Sequence, residues 1–412
     1  MVSNVCLFTE KFYVMIGRSS TVVTNLFEKL SSLIENIVFR SRFCVFVPIT
    51  LAMTVLVNGI WVSPASKRMW LLASNPFKNP FDNEKNEWLL DNYLLPWLAH
   101  TMGADTSLLV YVTFCLFLFL FGIVSLAVLV RRQNGELVAR CMLIVFALSP
   151  VSLATLGWLG YVDFITVFFG IVVALSWEHL WVLPLCAFLM GLNHASQGIV
   201  ISLVAFLAHV AFAPENAIRR HIGRLIIILA VILIAYFLRD VYLTSYGVHQ
   251  TYTRLDYFHD RGIWYYASLV LEVPGLLWYS LFGAVWILLI AWVPQASVRS
   301  ILLVSAAFII SLASALLNLD QTRVFSLLTF PVLLVVINNW PSANSRHSCV
   351  PLRKVVVWMI MGSLILPKII VWHGKPYGSV VYHDIQIGVQ YLLDRQELNF
   401  YDDKWLNKAF GR

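Results

Sequence analysis

Residues 107–130 read Ser-Leu-Leu-Val-Tyr-Val-Thr-Phe-Cys-Leu-Phe-Leu-Phe-Leu-Phe-Gly-Ile-Val-Ser-Leu-Ala-Val-Leu-Val, an apolar run closed by Arg131 and Arg132. At a rise of about 1.5 Å per residue, a helix of this length crosses the ~30 Å hydrocarbon core of a bilayer. A barrel strand would alternate apolar and polar residues, and this run does not. Reading outward from it against breakers, we place about eleven transmembrane helices, at roughly 44–62, 107–130, 138–156, 163–177, 180–195, 197–213, 223–241, 274–293, 300–318, 324–339 and 355–372. The expected fold class is an all-α polytopic membrane protein.

Composition agrees. The 412 residues are 59% hydrophobic and 12% charged, with 27 Phe, 16 Tyr and 15 Trp, against about 25% charged in a soluble chain. Disordered, collagenous and disulfide-stapled secreted chains are excluded. A net charge of +7 does not point to nucleic acid, because Lys and Arg come in ones to threes between apolar runs and read first as topology signals. No CxxC or Cys/His metal spacing occurs among Cys6, Cys44, Cys115, Cys141, Cys186 and Cys349. No metal site and no cofactor are expected.

Arg131, Arg132 and Arg140, then Arg219, Arg220 and Arg224, then Arg346, Arg353 and Lys354 fall on one side, together with Arg40 and Arg42. That side is read as cytoplasmic, with the amino terminus inside and the carboxyl terminus outside. Glu10 and Lys11 interrupt any early apolar region, so no cleavable signal peptide is expected. Residues 1–42 form a cytoplasmic segment in which 21–39 reads as an amphipathic helix, from Val23, Phe27, Leu30, Ile34 and Ile37. Residues 43–372 make the bundle, with outer loops at 63–106 and 240–273. Residues 373–412 are an extracytoplasmic tail that reads as one amphipathic helix through Ile385, Ile387, Val389, Leu392 and Leu393.

Five stretches carry chemistry. From Asp82 the first outer loop turns helical, and Glu84, Glu87 and Asp91 fall at i, i+3 and i+7 on one face, with Trp88, Leu89, Leu95 and Leu98 resting the helix on the membrane surface. Asp82, Glu84 and Glu87 are the candidate catalytic carboxylates and Asp91 a substrate contact; a solvated acidic face capped by Asp82 is the plain alternative. Asp163 opens an apolar run, where a charge needs a polar neighbourhood. Asn193, His194, Ser196 and Gln197 form a polar cluster between two short runs, suited to sugar hydroxyls or to satisfying broken-helix backbone. Arg323 tops the tenth span in Asp320-Gln-Thr-Arg323, where its forked cation suits a phosphate or else pins two helices through Asp320. The 240–273 loop adds Arg254, His259 and Arg261 among aromatic residues that suit either carbohydrate or an interfacial belt.

These residues carry a resemblance. The acidic first outer loop, Tyr-Leu-Leu-Pro-Trp-Leu-Ala at 93–99, Gly160-Tyr-Val-Asp163, and Asp320-Gln-Thr-Arg323 with Pro331 resemble the bacterial integral-membrane glycosyltransferases of the GT-C class. The resemblance implies an enzyme of the inner membrane, multi-pass, that takes a polyprenyl-phosphate-linked sugar donor at the periplasmic face. The acceptor it implies is a lipid-linked glycan such as an O-antigen, with membrane lipids as surroundings and no nucleic acid partner. It points to Asp82, Glu84 or Glu87 as base and to Arg323 or Arg254 as phosphate ligand. Asp91, Asn92 and Tyr93 stand where related chains carry an Arg before Leu-Leu-Pro. An Asp-Asp or Glu-Asp pair near the first span is missing, which favours a metal-independent reaction. An O-antigen polymerase joining pyrophosphate-linked repeat units, a flippase of lipid-linked glycans, and a structural subunit working through helix 21–39 are the rival readings.

Overall fold

The computed structural model describes residues 21–60, 62–81, 87–253, 256, 259–260, 262–272, 274–340, 350–366, 368–372 and 375–378. In chain order the helices are α1 (Thr21–Glu35), α2 (Phe43–Asn58), α3 (Pro64–Ser74), α4 (Leu94–Thr101), α5 (Leu108–Asn134), α6 (Glu136–Leu148), α7 (Pro150–Gly157), α8 (Asp163–Leu175) and α9 (Val182–Phe212). They continue with α10 (Ile218–Ser245), α11 (Ile263–Glu272), α12 (Pro274–Phe282), α13 (Trp286–Trp292), α14 (Val298–Leu316), α15 (Gln321–Asn338) and α16 (Leu352–Ser363). Among the described residues six helices are long and apolar enough, by length and composition, to cross a membrane, and up to eight if each bent pair counts as one span; one of the six, α9, consists of two arms joined at a kink. The protein is an all-α polytopic membrane protein, apart from one short hairpin of β1 (Ile369–Trp372) and β2 (Lys375–Gly378).

The expectation of about eleven separate spans is therefore not what the helices give. The run at 138–156 is bent by 64°, because Ser149 is extended and Pro150 has no amide to continue the ladder. The run at 163–177 is a helix of 13 residues, about 20 Å long and short of a full crossing. The run at 355–372 stops at Ser363 and continues as the hairpin, in which Ile369 faces Gly378 and Trp372 faces Lys375. Pro367 and the β-branched Ile369, Ile370 and Val371 favour that extended ending. The amphipathic helix expected over 373–412 lies outside the described residues beyond Gly378.

α9 holds the feature that shapes the interior. His194 sits at φ −164° and ψ 81°, outside helical space. A Cβ on Gly198 would lie 3.1 Å from Met190 Cβ, whereas residues eight apart in a straight helix are separated by about 12 Å. The chain doubles back at His194. Both arms pack on α10, and a Cβ on Gly191 would lie 2.7 Å from the Ile232 carbonyl and from Ala235 Cβ, so only glycine allows this approach.

α15 runs through the centre, with Val324 to Ile337 buried on all sides. Its far end meets α5 where Asn134 Nδ2 donates to Asn338 Oδ1 at 2.8 Å. At the same end Trp177 stacks on His209, Trp177 Nε1 donates to His221 Nδ1 at 2.7 Å, and Arg299 Nη2 donates to the Val210 carbonyl at 2.8 Å. The near end of α15, carrying Arg323, is where the candidate site forms.

Candidate functional site

Asp163 begins α8 and Arg323 lies in the first turn of α15. Arg323 Nη1 donates to Asp163 Oδ2 at 2.5 Å, while Nη2 donates to Asp320 Oδ2 at 2.5 Å. The guanidinium also lies 5.2 Å from the Trp158 ring centroid and 5.3 Å from that of Tyr161. Burial of a lone charge would be prohibitive, so two carboxylates and two aromatic faces replace its water. Sequence reasoning weighed a phosphate contact against a pin to Asp320. The structure makes Arg323 a pin, and adds Asp163 as a second carboxylate that no local spacing could reveal.

The reversal in α9 brings its polar residues to the same place. Asn193 Nδ2 donates to the Val162 carbonyl at 3.0 Å and to Thr166 Oγ1 at 2.8 Å. His194 Nδ1 lies 3.2 Å from Ser196 Oγ and accepts from the Gln197 amide at 3.4 Å. The Gln197 amide is thus satisfied at the break, while Asn193 ties the reversal to the start of α8. They leave the side-chain oxygens of Asn193 and Gln197 buried without a hydrogen bond, as are both amide atoms of Gln321, next but one to Arg323. Buried polar groups of this kind are rare in folded proteins.

The first loop comes down onto this cluster. Asn92 Nδ2 donates to the Tyr161 hydroxyl at 3.4 Å, and the Tyr93 amide donates to the Leu192 carbonyl at 3.2 Å. Leu89, Leu90 and Leu95 are fully buried. The helix expected to rest on the membrane surface from Asp82 onward thus rests on the bundle. Its described part is a 3₁₀ turn at Glu87–Asp91 followed by α4. Asp82 and Glu84 lie outside the described residues.

Glu87 and Asp91 do not form an acidic face toward solvent. Glu87 is fully buried. Its Oε2 accepts from the Thr251 amide at 2.8 Å, the Thr251 hydroxyl at 2.6 Å and the Tyr252 amide at 2.8 Å; Oε1 accepts from Asn79 Nδ2 at 3.0 Å. Burial pushes the carboxyl's pKa up, but the Thr251, Tyr252 and Asn79 donors outweigh it and hold Glu87 below the usual carboxylate range. Such a group is a poor base and a strong tie between the two long loops. Asp91 Oδ1 lies 3.1 Å from Arg239 Nη1, and Arg239 is itself buried over the Tyr236 ring.

His259 is exposed on the second loop. Arg254 and Arg261 lie outside the described residues. A further cation escaped the sequence reading. Lys368 Nζ donates to Asn58 Oδ1 at 2.9 Å, to Ser152 Oγ at 2.9 Å and to the Ala147 carbonyl, tying α2, the α6–α7 bend and the start of β1. The signal was a lone lysine after Pro367 in an otherwise apolar run. β1 reaches the site end of α15, where the Val371 amide donates to Thr322 Oγ1 at 2.9 Å. Among the described residues no group of three or more His, Cys, Asp and Glu side chains forms a metal site.

No protein-family model, curated protein or solved structure matches this chain.

Proposed function

We propose that the protein is a membrane glycosyltransferase of GT-C type. It transfers a sugar from a polyprenyl-phosphate-linked donor to a lipid-linked glycan at the periplasmic face of a bacterial inner membrane. One observation carries the reading: segments far apart in the chain, 87–93, 158–166, 192–197 and 320–323, meet around Tyr161 and Asp163 and bring the buried side-chain oxygens of Asn193 and Gln197 and both amide atoms of Gln321, which lack hydrogen-bond partners. Hydroxyl-rich ligands supply the donors and acceptors such amides need.

In this proposal the acceptor hydroxyl oxygen attacks the anomeric carbon as the bond from that carbon to the phosphate oxygen breaks. A carboxylate takes the hydroxyl proton, and polyprenyl phosphate leaves with the bonding electrons. Glu87 is committed to holding the loops, so the base falls to Asp82 or Glu84. Arg323 is matched by two aspartates, so the phosphate falls to Arg254 or Arg261. The donor's sugar meets Asn193, Gln197, Gln321 and His194.

The test is an assay of purified protein with synthetic polyprenyl-phosphate sugars and a lipid-linked acceptor. Transfer is expected, with Asp82→Asn or Glu84→Gln lowering the rate on the order of 100-fold or more. Turnover only with pyrophosphate-linked repeat units would assign a polymerase instead. Movement of lipid-linked glycan across vesicles without any new glycosidic bond would make it a flippase and overturn the enzymatic reading.

A further inference from the structure

At the end of the bundle remote from the candidate site, the chain makes an elbow. α1 and the π-helical turn Asn36–Arg40 meet α2 at 118°. A span that runs along the membrane normal places this preceding segment close to the membrane plane, at headgroup depth. Phe27, Leu33 and Ile37 are exposed along that segment, and Val45 and Ile49 continue the exposed apolar surface onto α2.

Cations collect around the elbow. Arg353 at the start of α16 lies 5.6 Å from the Phe39 ring centroid, and Arg131 at the end of α5 lies 4.7 Å from that of Phe43. Arg140 is buried beneath, donating to the Val38 carbonyl and the Ser41 carbonyl at 2.5 Å. Those contacts fix the ends of α5 and α16 against residues 38–43. Arg40 and Arg42 are exposed within the elbow, and Arg132 and Lys354 are exposed beside Arg131 and Arg353. Of the described acids here, Glu136 is already bonded to Arg131 at 2.7 Å and Arg140 at 2.5 Å, and Glu28 and Glu35 are exposed on α1 with no ion pair to these arginines.

We propose that this elbow is a docking site for the phosphodiester headgroups of anionic phospholipids in the leaflet it faces. The charge is complementary, with Arg40, Arg42, Arg132 and Lys354 unmatched by a described carboxylate. The adjoining apolar surface selects a lipid over a free anion. A headgroup bound between Arg40, Arg42 and Lys354 has its acyl chains beside Ile37, Val45 and Ile49, whereas inorganic phosphate gains nothing from those residues.

The experiment uses the full-length protein in neutral detergent, adding phosphatidylglycerol, phosphatidylcholine or inorganic phosphate. Bound lipid is counted by native mass spectrometry and thermal unfolding is followed in parallel. Phosphatidylglycerol is expected to be retained and to raise the unfolding midpoint, less so as salt is increased, while the other two do neither. Each cation near an anionic lipid surface contributes a factor of about five. Arg40→Gln with Arg42→Gln, and separately Arg132→Gln with Lys354→Gln, should therefore each weaken phosphatidylglycerol retention by about 25-fold. Equal retention of phosphatidylcholine, an equal effect of phosphate, or salt-independent binding to the unaltered protein would overturn the proposal, even if a variant failed to fold.

Discussion

The Glu87 carboxylate and Thr251, 164 residues apart in the chain, are joined twice, through the Thr251 amide at 2.8 Å and the Thr251 hydroxyl at 2.6 Å. That joint fastens the second long loop to the first, above the Tyr161–Asp163 cluster. Glu87→Ala removes the acceptor of two part-buried amide donors and of the Thr251 hydroxyl, each such bond contributing about 0.5–1.5 kcal/mol. The variant should unfold at a lower temperature and be cut faster by protease within 240–273. Unchanged midpoint and cleavage would mean the carboxylate does not hold the loops.

Acid should loosen the same joint. The pKa of Glu87 is lower in the folded protein than the ordinary 4.5, so its stabilisation is complete above that unfolded value. It is lost as pH falls below 4.5 through the depressed folded value. Protease sensitivity of the second loop should rise in that window for the parent and show a weaker pH dependence in Glu87→Gln. An identical pH profile for both would show that another group controls it.

Arg323 is expected to be more sensitive to loss than either partner. Arg323→Gln leaves Asp163 and Asp320 facing each other in a buried setting, whereas Asp163→Asn leaves Arg323 with Asp320. Breaking a buried pair costs about 3–5 kcal/mol, so Arg323→Gln should reduce folded yield and stability sharply and Asp163→Asn less. The double variant should recover part of the loss. A strictly additive double-mutant cycle would show the two side chains to be uncoupled.

Gly191 and Gly223 make an internal comparison. A Cβ at Gly191 meets the backbone oxygen of Ile232 at 2.7 Å, while nothing lies within 4 Å of one at Gly223. Gly191→Ala should cost about 1–3 kcal/mol through overpacking. Gly223→Ala should be neutral or stabilising by up to about 1 kcal/mol from helix propensity. Thermal unfolding of both variants checks the contrast.

Much of the membrane architecture was legible because apolar run length is a local property, as in residues 107–130. A break was legible where a polar cluster announced it, as at Asn193–Gln197, whereas the one at Pro150 was read through as part of a single span over 138–156. The site was legible only as parts. Asp163, Arg323, Asn193 and Glu87 each stand out as polar residues in apolar company, yet their partners depend on contacts across 27 to 164 residues. Helical phase did not give the partners of Glu87, because the segment folds as a 3₁₀ turn seated on the bundle with its carboxylate bonded to Thr251. Lys368 was missed because the apolar run around it reads as a span, while the chain there leaves the helix and enters a hairpin.

The reversal at His194 also bears on how the chain is laid into the bilayer. Residues 174–177 and His209 lie side by side, so the segment between them departs from one face and comes home to it. Such an excursion changes parity by zero. Phe212 therefore brings the chain back to the end of the bundle at which α8 stops, and α10 sets out from there.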